Sequence, residues 1–267
     1  MFLRPSPFSI LAYSKTGKGV VHIKIPELLR TQSLVILPPM RMEESVHILL
    51  DQMVYPVTTI LDPWYNKGIG TVLPEEEYDK FIHQCIQQVA ALSAFIYLWG
   101  FPEVIGPYVR LVPPGYSVTA WLTWYYKNCP SVIRGWRSSQ QACIQFQRNH
   151  TSVYPEHFLS EDAKKKQEEK KARFIPGPTS VIEAPLLCGF VGKKEQCGHP
   201  AQKPIAVFEK LILMSSQPDE IIFDPMAGSG TTAAAALATG RKAIVCDENP
   251  EYIEMMENRL GCKRISL

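Results

Sequence analysis

The stretch of sequence that decides the fold runs from Glu220 to Asp247 and reads EIIFDPMAGSGTTAAAALATGRKAIVCD. Its β-branched and aromatic beginning, Glu220 to Asp224, predicts a buried strand, and its alanine-rich middle, Thr231 to Thr239, predicts a helix that ends at Gly240. A second apolar run, Lys242 to Asp247, predicts another strand. A strand, a helix and a strand in this order form a β-α-β unit, so we expect parallel strands joined by a right-handed crossover.

The turn between the first strand and the helix indicates a ligand site. Gly228 and Gly230 allow the backbone to bend sharply and to approach a ligand closely, and the free amide groups at the start of the helix face the same place. Asp247, at the end of the second strand, offers the kind of carboxylate that binds ribose hydroxyls. These features predict a nucleoside-cofactor site. The dinucleotide fingerprint G-x-G-x-x-G does not fit, because position 233 is Ala.

This segment resembles the S-adenosylmethionine loop of amino-directed (N6-adenine or N4-cytosine) DNA methyltransferases. Phe223 to Thr232 matches the loop, and His199 to Pro204, which reads HPAQKP, is similar to the HPxQKP element that precedes the loop in the family's β class. Arg241 to Asp247 and Asn249 to Tyr252 complete the block. The resemblance implies S-adenosyl-L-methionine as the cofactor, with Lys203 and Pro204 closing the pocket at its methionine end. The cofactor-binding residues that it implies are His199, Gln202, Lys203, Pro204, Asp224, Ala227, Gly228, Gly230, Thr231 and Asp247.

A second motif, Asp62-Pro63-Trp64-Tyr65, follows the β-branched run Val57 to Leu61, which predicts a buried strand. It resembles the DPPY or DPPW catalytic tetrapeptide of the same family. An exocyclic amine of a base is a poor nucleophile because its lone pair is conjugated into the ring, and acceptors aimed at its hydrogens stabilise the charge that develops during transfer. Asp62 and Pro63 are the candidate acceptors, and Tyr65 is the candidate ring that stacks on an extruded base.

Two departures from the family pattern concern activity. Trp64 replaces the family's second proline, and its ring either stacks on a base, packs in the core or blocks the pocket. The acidic residue expected near Gln140 and Gln141 is missing. A catalytically silent methyltransferase-like subunit, which binds nucleic acid or an active partner, is therefore an alternative to an enzyme.

The catalytic motif precedes the cofactor loop, which is the circularly permuted order of the β class. We therefore expect an α/β fold, a Rossmann-like methyltransferase sheet, in a single domain over residues 1–267. A charged segment at 149–190 is a candidate target-recognition or partner-binding insertion. Its Lys-rich run, Glu161 to Lys171, either tracks phosphates or is a solvated helix or loop. A second candidate nucleic-acid face combines Arg134, Arg137 and Arg148 with Trp136 and Phe146.

The rest of the chain predicts short strands and turns up to residue 45, including the apolar run Ser33 to Leu37. Helices are predicted over residues 42–53, 74–99 and 205–215, and three strands are predicted within 108–148.

Composition excludes several classes of protein. The chain has 267 residues, of which 46% are hydrophobic and 20% charged, so it buries a core and is not globally disordered. A net charge of +2 excludes a strongly basic nucleic-acid binder without excluding a local basic groove. The seven cysteines form no CxxC pair, and Cys197 and His199 lack a second pair of ligands, so we predict free thiols and no metal site. The N-terminus reads as mature sequence, and an intracellular location is expected, cytoplasmic for a bacterial or phage protein and nuclear for a eukaryotic one.

Taken with the resemblance, these residues predict methyl transfer from S-adenosyl-L-methionine to an exocyclic amine of a nucleic-acid base. Asp62 favours adenine N6 in DNA, by resemblance, while cytosine N4, RNA, and a small-molecule or protein substrate remain alternatives. The predicted partner is nucleic acid, with a homodimer or a specificity subunit as a further expectation.

Overall fold

The computed structural model of this protein describes residues 24–66, 72–129, 135–171 and 174–266. The strands are β1 (Leu34–Ile36), β2 (Thr58–Leu61), β3 (Phe95–Gly100), β4 (Tyr116–Tyr125), β5 (Gln140–Arg148), β6 (Val181–Glu183), β7 (Ile221–Asp224) and β8 (Lys242–Val245). The helices are α1 (Ile25–Thr31), α2 (Met42–Asp51), α3 (Glu75–Ala90), α4 (Pro102–Ile105), α5 (Glu161–Glu168), α6 (Ile205–Ser215), α7 (Thr231–Ala238) and α8 (Pro250–Leu260). Two 3-10 turns lie at Gly106–Arg110 and Pro155–Phe158.

The strands form one sheet of eight, in the order β1-β8-β7-β2-β3-β5-β4-β6. The first five strands in this order are parallel, β5 is antiparallel to both β3 and β4, and β6 is parallel to β4. The predicted β-α-β unit is confirmed, since β7 and β8 are parallel neighbours joined by α7. The α/β, Rossmann-like fold class is confirmed with it.

Helices cover both faces of the sheet, which explains why β3 is an uninterrupted apolar strand that is buried along its whole length. On one face, Leu49 of α2 and Ile86 of α3 pack in one core with alternate strand residues such as Ile96. On the other face, Phe208 of α6 and Ala235 of α7 pack in a second core. Alanine in α7 allows that helix to lie close to the sheet.

The topology locates a crevice between β7 and β2. From β7 the chain crosses through α7 to β8, in one direction along the sheet, whereas from β2 it crosses through α3 to β3 in the other direction. Loops that leave the carboxyl ends of β7 and β2 therefore diverge, and ligands of open α/β sheets bind at such a switch point. The loop after β2 carries Asp62, and the loop after β7 carries Gly228.

Three predictions of secondary structure were wrong. The helix predicted over 74–99 ends at Ala90, and Phe95–Gly100 is strand β3. The described residues of 108–148 contain two strands where three were expected, and the chain before these strands forms the 3-10 turn. Residues 25–31 form a helix where strands and turns were expected. The first 23 residues lie outside the described part of the chain.

The segment 149–190 leaves the sheet at the amino ends of the parallel strands, where β5 ends beside the start of β3. It rejoins the sheet as β6, beside the end of β4, at the carboxyl ends of the parallel strands. The Tyr154 amide donates to the Met214 carbonyl (2.9 Å) and the His157 ring donates to the Leu213 carbonyl (2.7 Å), near the end of α6. That end of α6 lies at the amino end of β2, because Thr58 donates to the Ser215 hydroxyl (2.8 Å). The Lys-rich run forms α5, without a buried residue. Among the described residues, no helix is both long and apolar enough to cross a bilayer.

Candidate active site

Asp62 lies directly after β2, so its carboxylate is at the carboxyl end of a buried parallel strand. The Lys203 ammonium donates a hydrogen bond to Asp62 Oδ2 and a second one to the Tyr65 hydroxyl (2.7 Å). The Tyr65 hydroxyl is also 3.2 Å from Oε1 of Gln141, on β5, and its ring packs edge-on against Phe101 (4.8 Å between centroids). These contacts fix the catalytic loop against the cofactor side of the crevice.

The charges of this cluster are set by burial and by one another. Burial alone lowers the pKa of Lys203, but the Asp62 carboxylate and the Tyr65 hydroxyl raise it above its ordinary value, so the amine stays protonated. Burial, followed by the charge of Asp62, raises the pKa of Tyr65 to about 12. At neutral pH Lys203 is therefore an ammonium and Tyr65 a neutral phenol.

Trp64 packs against α3, in agreement with one of its three predicted placements. Its ring lies 4.8 Å from Phe81 and 5.5 Å from Tyr78 between centroids, and its carbonyl accepts from the Tyr78 hydroxyl (2.6 Å). The residue is 37% exposed, so it lies at the rim of the α3 core rather than deep inside it. The contacts with Tyr78 and Phe81 anchor Trp64 to α3.

The cofactor loop after β7 contains two left-handed glycines, Gly228 (φ 48°) and Gly230 (φ 75°). A Cβ at Gly228 would lie 2.8 Å from Nε2 of His199, and one at Gly230 would lie 2.9 Å from Cγ of Met256. Only glycine fits both the conformation and the space. Asp247 holds the loop, since its carboxylate accepts from the amides of Gly228 and Asn249 (2.9 Å each).

Asp224, the last residue of β7, is buried beneath this loop. Its carboxylate accepts from the Thr232 hydroxyl and from the Met226 amide (2.9 Å). Burial raises its pKa to about 7, although these two hydrogen bonds act in the opposite direction. Burial likewise raises the pKa of Asp247. Asp224 thus ties the start of α7 to the end of β7.

The HPAQKP segment crosses over the cofactor loop and links it to the catalytic loop. His199 lies against Gly228 and packs edge-on against Tyr252 (4.4 Å between centroids), and burial lowers its pKa. The Thr231 hydroxyl donates to the Lys203 carbonyl (3.1 Å), and Pro204 immediately precedes α6. Lys203 therefore contacts the cofactor loop through its backbone and the catalytic loop through its side chain.

Gln202 has a structural contact in the same segment. Its amide group donates to the Glu195 carbonyl (2.8 Å) and accepts from the Cys197 amide (2.9 Å), which closes a tight loop. Among the described residues, no group of three His, Cys, Asp or Glu side chains is arranged to hold a metal ion.

Sequence reasoning missed two residues of this site. Arg259, on α8, donates to the Ser229 carbonyl (2.8 Å) and to the Thr231 hydroxyl (3.1 Å), and it lies 3.8 Å from Glu195. Gln141 contacts Tyr65 from the place where an acid was expected. The expected acid drew attention to residue 141, whereas nothing local in the sequence distinguishes Arg259 from a surface arginine.

A groove of about 710 Å³ lies behind the HPAQKP segment, between residues 194–197 and α8. None of the predicted site residues lines it, although Arg259 does.

The second predicted nucleic-acid face is divided by the fold. Phe146 is fully buried, and the Arg148 guanidinium donates to the carbonyls of Ala90 (2.8 Å) and Ser93 (3.0 Å) at the amino end of β3. Trp136 and Arg137 are exposed and lie near the other end of β5. That end is at the carboxyl ends of the parallel strands, as Asp62 is, because Ala142 pairs with Gly100 at the carboxyl end of β3. The four described residues of this set therefore do not form one face, and Arg134 lies outside the described residues.

Three bacterial methyltransferases are similar in sequence. M.HpaI, a type II methyltransferase of Haemophilus parainfluenzae, is 29% identical over 75% of this chain and 67% of its own length. The DNA adenine methyltransferase YhdJ of Escherichia coli (strain K12) is 53% identical over 46% of this chain and 35% of its own length. M1.MboII, a type II methyltransferase of Moraxella bovis, is 32% identical over 54% of this chain and 62% of its own length. The chain thus spans between a third and two thirds of these relatives.

Solved structures of methyltransferases share the fold. The M1.HpyAVI–SAM complex aligns over 85% of this chain and 98% of its own with a TM-score of 0.64 and 19% identity. The cytosine-N4-specific PvuII DNA methyltransferase aligns over 86% of both chains with a TM-score of 0.61 and 16% identity.

The family model N6_N4_Mtase, described as DNA methylase, matches residues 57–258. The matched range includes β2 with Asp62, the HPAQKP segment and the cofactor loop. The predictions of the family and of S-adenosyl-L-methionine as its cofactor are thereby confirmed at the level of the family. Since the match covers more than half of the chain, this protein belongs to the N6_N4_Mtase family of DNA methylases.

Proposed function

We propose that this chain transfers a methyl group from S-adenosyl-L-methionine to the exocyclic N6 amine of adenine in DNA. The observation that carries the proposal is the meeting of two loops in one crevice. The Asp62 carboxylate lies at the end of β2, the glycine loop lies at the end of β7, and these strands are neighbours in the sheet although 162 residues separate Asp62 from Asp224.

The cofactor fits the loop after β7 by two criteria. First, Gly228 and Gly230 expose backbone where a side chain would fill the space. Second, Asp247 accepts two backbone hydrogen bonds, and a carboxylate has lone pairs for about four, so acceptor capacity remains for ribose hydroxyls. His199, Gln202, Pro204, Asp224, Ala227 and Thr231, with the backbone of Lys203, complete the set that would hold the cofactor.

The chain's own residues would prepare the amine for attack. The Asp62 carboxylate and the Pro63 carbonyl accept hydrogen bonds from the two amine hydrogens, which makes the nitrogen lone pair more available and stabilises the positive charge that develops on it. Tyr65 holds the base by stacking and sets its angle to the cofactor. When bound, S-adenosyl-L-methionine supplies the electrophilic methyl group. The excess proton leaves the methylated nitrogen through Asp62 to solvent.

Two observations favour adenine over cytosine. The catalytic tetrapeptide begins with Asp, as in the adenine-directed members it resembles, and the similar E. coli protein is named a DNA adenine methyltransferase. The PvuII enzyme, which shares the fold, is cytosine-N4-specific, so cytosine N4 is the second candidate. The homodimer or specificity subunit, the role of residues 149–190, and the intracellular location stay predictions.

The experiment is transfer of a radiolabelled methyl group to unmethylated duplex DNA, single-stranded DNA and RNA, with digestion of each product to nucleosides. We expect N6-methyldeoxyadenosine from duplex DNA, and much slower formation of it by Asp62→Asn, which keeps the side-chain shape and removes the charge. Labelled N4-methyldeoxycytidine would select the second candidate. Cofactor binding without transfer to any polymer would contradict both and assign the chain to the silent subunit class.

A further inference from the structure

Lys203 connects the two loops of the crevice, one through its backbone and the other through its side chain. Its backbone is held on the cofactor side, because its carbonyl accepts from Thr231 at the first turn of α7 and the next residue, Pro204, starts α6. Its ammonium is held on the catalytic side by Asp62 and Tyr65. The residue is 3% exposed.

The location of this ammonium raises the question of whether an incoming base displaces it. Displacement would leave a buried cation without its counter-ion, which is strongly unfavourable. The contact also uses one carboxylate oxygen only, since Lys203 binds Asp62 Oδ2, while Oδ1 is 3.5 Å from the Tyr65 hydroxyl, at the long limit of a hydrogen bond. Oδ1 is therefore available to an amine without movement of Lys203.

We propose that Lys203 is a positioning residue of the transfer reaction, which fixes the Asp62 carboxylate and the Tyr65 ring relative to the cofactor loop while Asp62 Oδ1 accepts the target amine. The inference rests on the proposed function. It differs from the role that family resemblance implies, in which Lys203 closes the cofactor pocket. In the proposed role Lys203 acts on turnover through Asp62, and cofactor affinity depends on it little.

A double-mutant cycle tests this role, using Lys203→Met, Asp62→Asn and the double variant. We expect Lys203→Met to lower kcat about 100-fold, the size expected when an oriented electrostatic group is removed, while the Kd for S-adenosylmethionine stays within about threefold. Because Lys203 acts through Asp62, the double variant should be no slower than Asp62→Asn alone. Lys203→Arg, which keeps a cation, should recover part of the loss. Lys165→Met is the matched control, an exposed lysine of α5 that lies outside the crevice.

Three results would overturn the inference. Unchanged or faster turnover of Lys203→Met would show that the ammonium is dispensable or blocks the base. A loss in cofactor affinity that equals the loss in turnover would return Lys203 to the cofactor pocket. Losses that multiply in the double variant would show that Lys203 acts independently of Asp62.

Failure of the proposed function has a different signature, namely wild-type protein that methylates no polymer. In that case urea unfolding of the same four proteins still tests the contact. Coupling between the two substitutions in the free energy of unfolding would support the Lys203–Asp62 link, and independent effects would overturn it.

Discussion

At Gly228 the backbone conformation and the neighbouring His199 ring exclude a side chain for separate reasons. A left-handed φ costs a non-glycine residue about 1–2 kcal/mol, and the 2.8 Å approach of a Cβ to Nε2 of His199 requires that the ring move. Gly240 shares the conformation (φ 73°) but has open space around its Cβ position. A side chain at Gly240 therefore introduces backbone strain alone, whereas a side chain at Gly228 introduces strain and also changes the shape of the cofactor site.

We predict that Gly228→Ala weakens S-adenosylmethionine binding at least about tenfold, because the His199 ring must shift and the loop with it. Gly240→Ala should lower the free energy of unfolding by about 1 kcal/mol and leave the Kd unchanged. Calorimetric titration and urea unfolding of both variants measure the two quantities. Equal binding by the two variants would contradict the assignment of this loop to the cofactor.

Asp224 predicts a pH dependence of stability. Its pKa is about 7 in the folded protein and near 3.8 in the unfolded chain. Between these values the folded protein holds a proton that the unfolded chain has released, so the free energy of unfolding falls as pH rises, by up to about 1.4 kcal/mol for each pH unit. Asp247, whose pKa is also raised, contributes in the same direction.

Asp224→Asn should therefore flatten the decline in stability between pH 5 and pH 7, measured by urea unfolding without cofactor. Asp219→Asn, at an exposed position in a left-handed conformation that asparagine tolerates, is the matched control and should keep the wild-type slope. A slope that Asp224→Asn leaves unchanged would place the responsible group elsewhere.

At the scale of elements, the success of sequence reasoning depended on the signals at the ends of each segment. α6 and the β7-α7-β8 unit were predicted to within two residues, since Pro204, Gly230 and Gly240 mark their ends. β3 was merged with α3 because Phe95–Gly100 is buried on both faces, and an uninterrupted apolar run has no period that distinguishes a strand from a buried helix.

The same reasoning explains what was found at the site. Asp62, Gly228 and Asp247 could be assigned because each follows a strand at a spacing that the chemistry requires. The contact of Lys203 with Asp62 could not, because 141 residues separate them and only the order of strands in the sheet brings them together.

Arg259 predicts a link between α8 and the cofactor loop. Charged hydrogen bonds of the kind that it makes to Ser229 and Thr231 contribute about 1.5–3 kcal/mol. Arg259→Met should therefore weaken cofactor binding about tenfold through a looser loop. Arg264→Met is the control, because the Arg264 guanidinium is 42% exposed and lies 4.0 Å from Glu257, at the distance limit of an ion pair. Equal effects of the two changes on cofactor binding would contradict the link.

At the scale of the whole molecule, the carboxyl and amino ends of the parallel strands differ in the side chains that they can present to DNA. Asp62 lies at the carboxyl ends of the parallel strands. The segments that flank α5 pack near Met214 through Tyr154 and Gly177, at the amino ends of these strands. The lysines of α5 are thus anchored away from the catalytic carboxylate, and Lys164 is already paired with Glu161 (2.7 Å).

Cations near the carboxyl ends of the parallel strands are better placed than the lysines of α5 to contact phosphates around an extruded base. Arg137 is exposed on the β4–β5 connection beside Trp136, which is 94% exposed, and Lys193 and Lys194 are exposed on the segment that leads into HPAQKP. Each phosphate that a protein neutralises adds about 0.9 to the slope of log affinity against log salt concentration. Neutralising this set of cations and neutralising the lysines of α5 should therefore have different effects on the salt dependence of DNA affinity.

We predict that neutralising Arg137, Lys193 and Lys194 together, each to Gln, weakens binding to duplex DNA and reduces the salt slope by about 0.9 for every phosphate that the variant no longer neutralises. Neutralising Lys164, Lys165 and Lys166 to Gln removes the same number of charges and should leave the slope unchanged. Because both variants change the net charge equally, a general electrostatic effect would lower both slopes alike. A lower slope for the α5 variant alone would place the DNA on the insertion instead, and would make residues 149–190 the surface that reads the target.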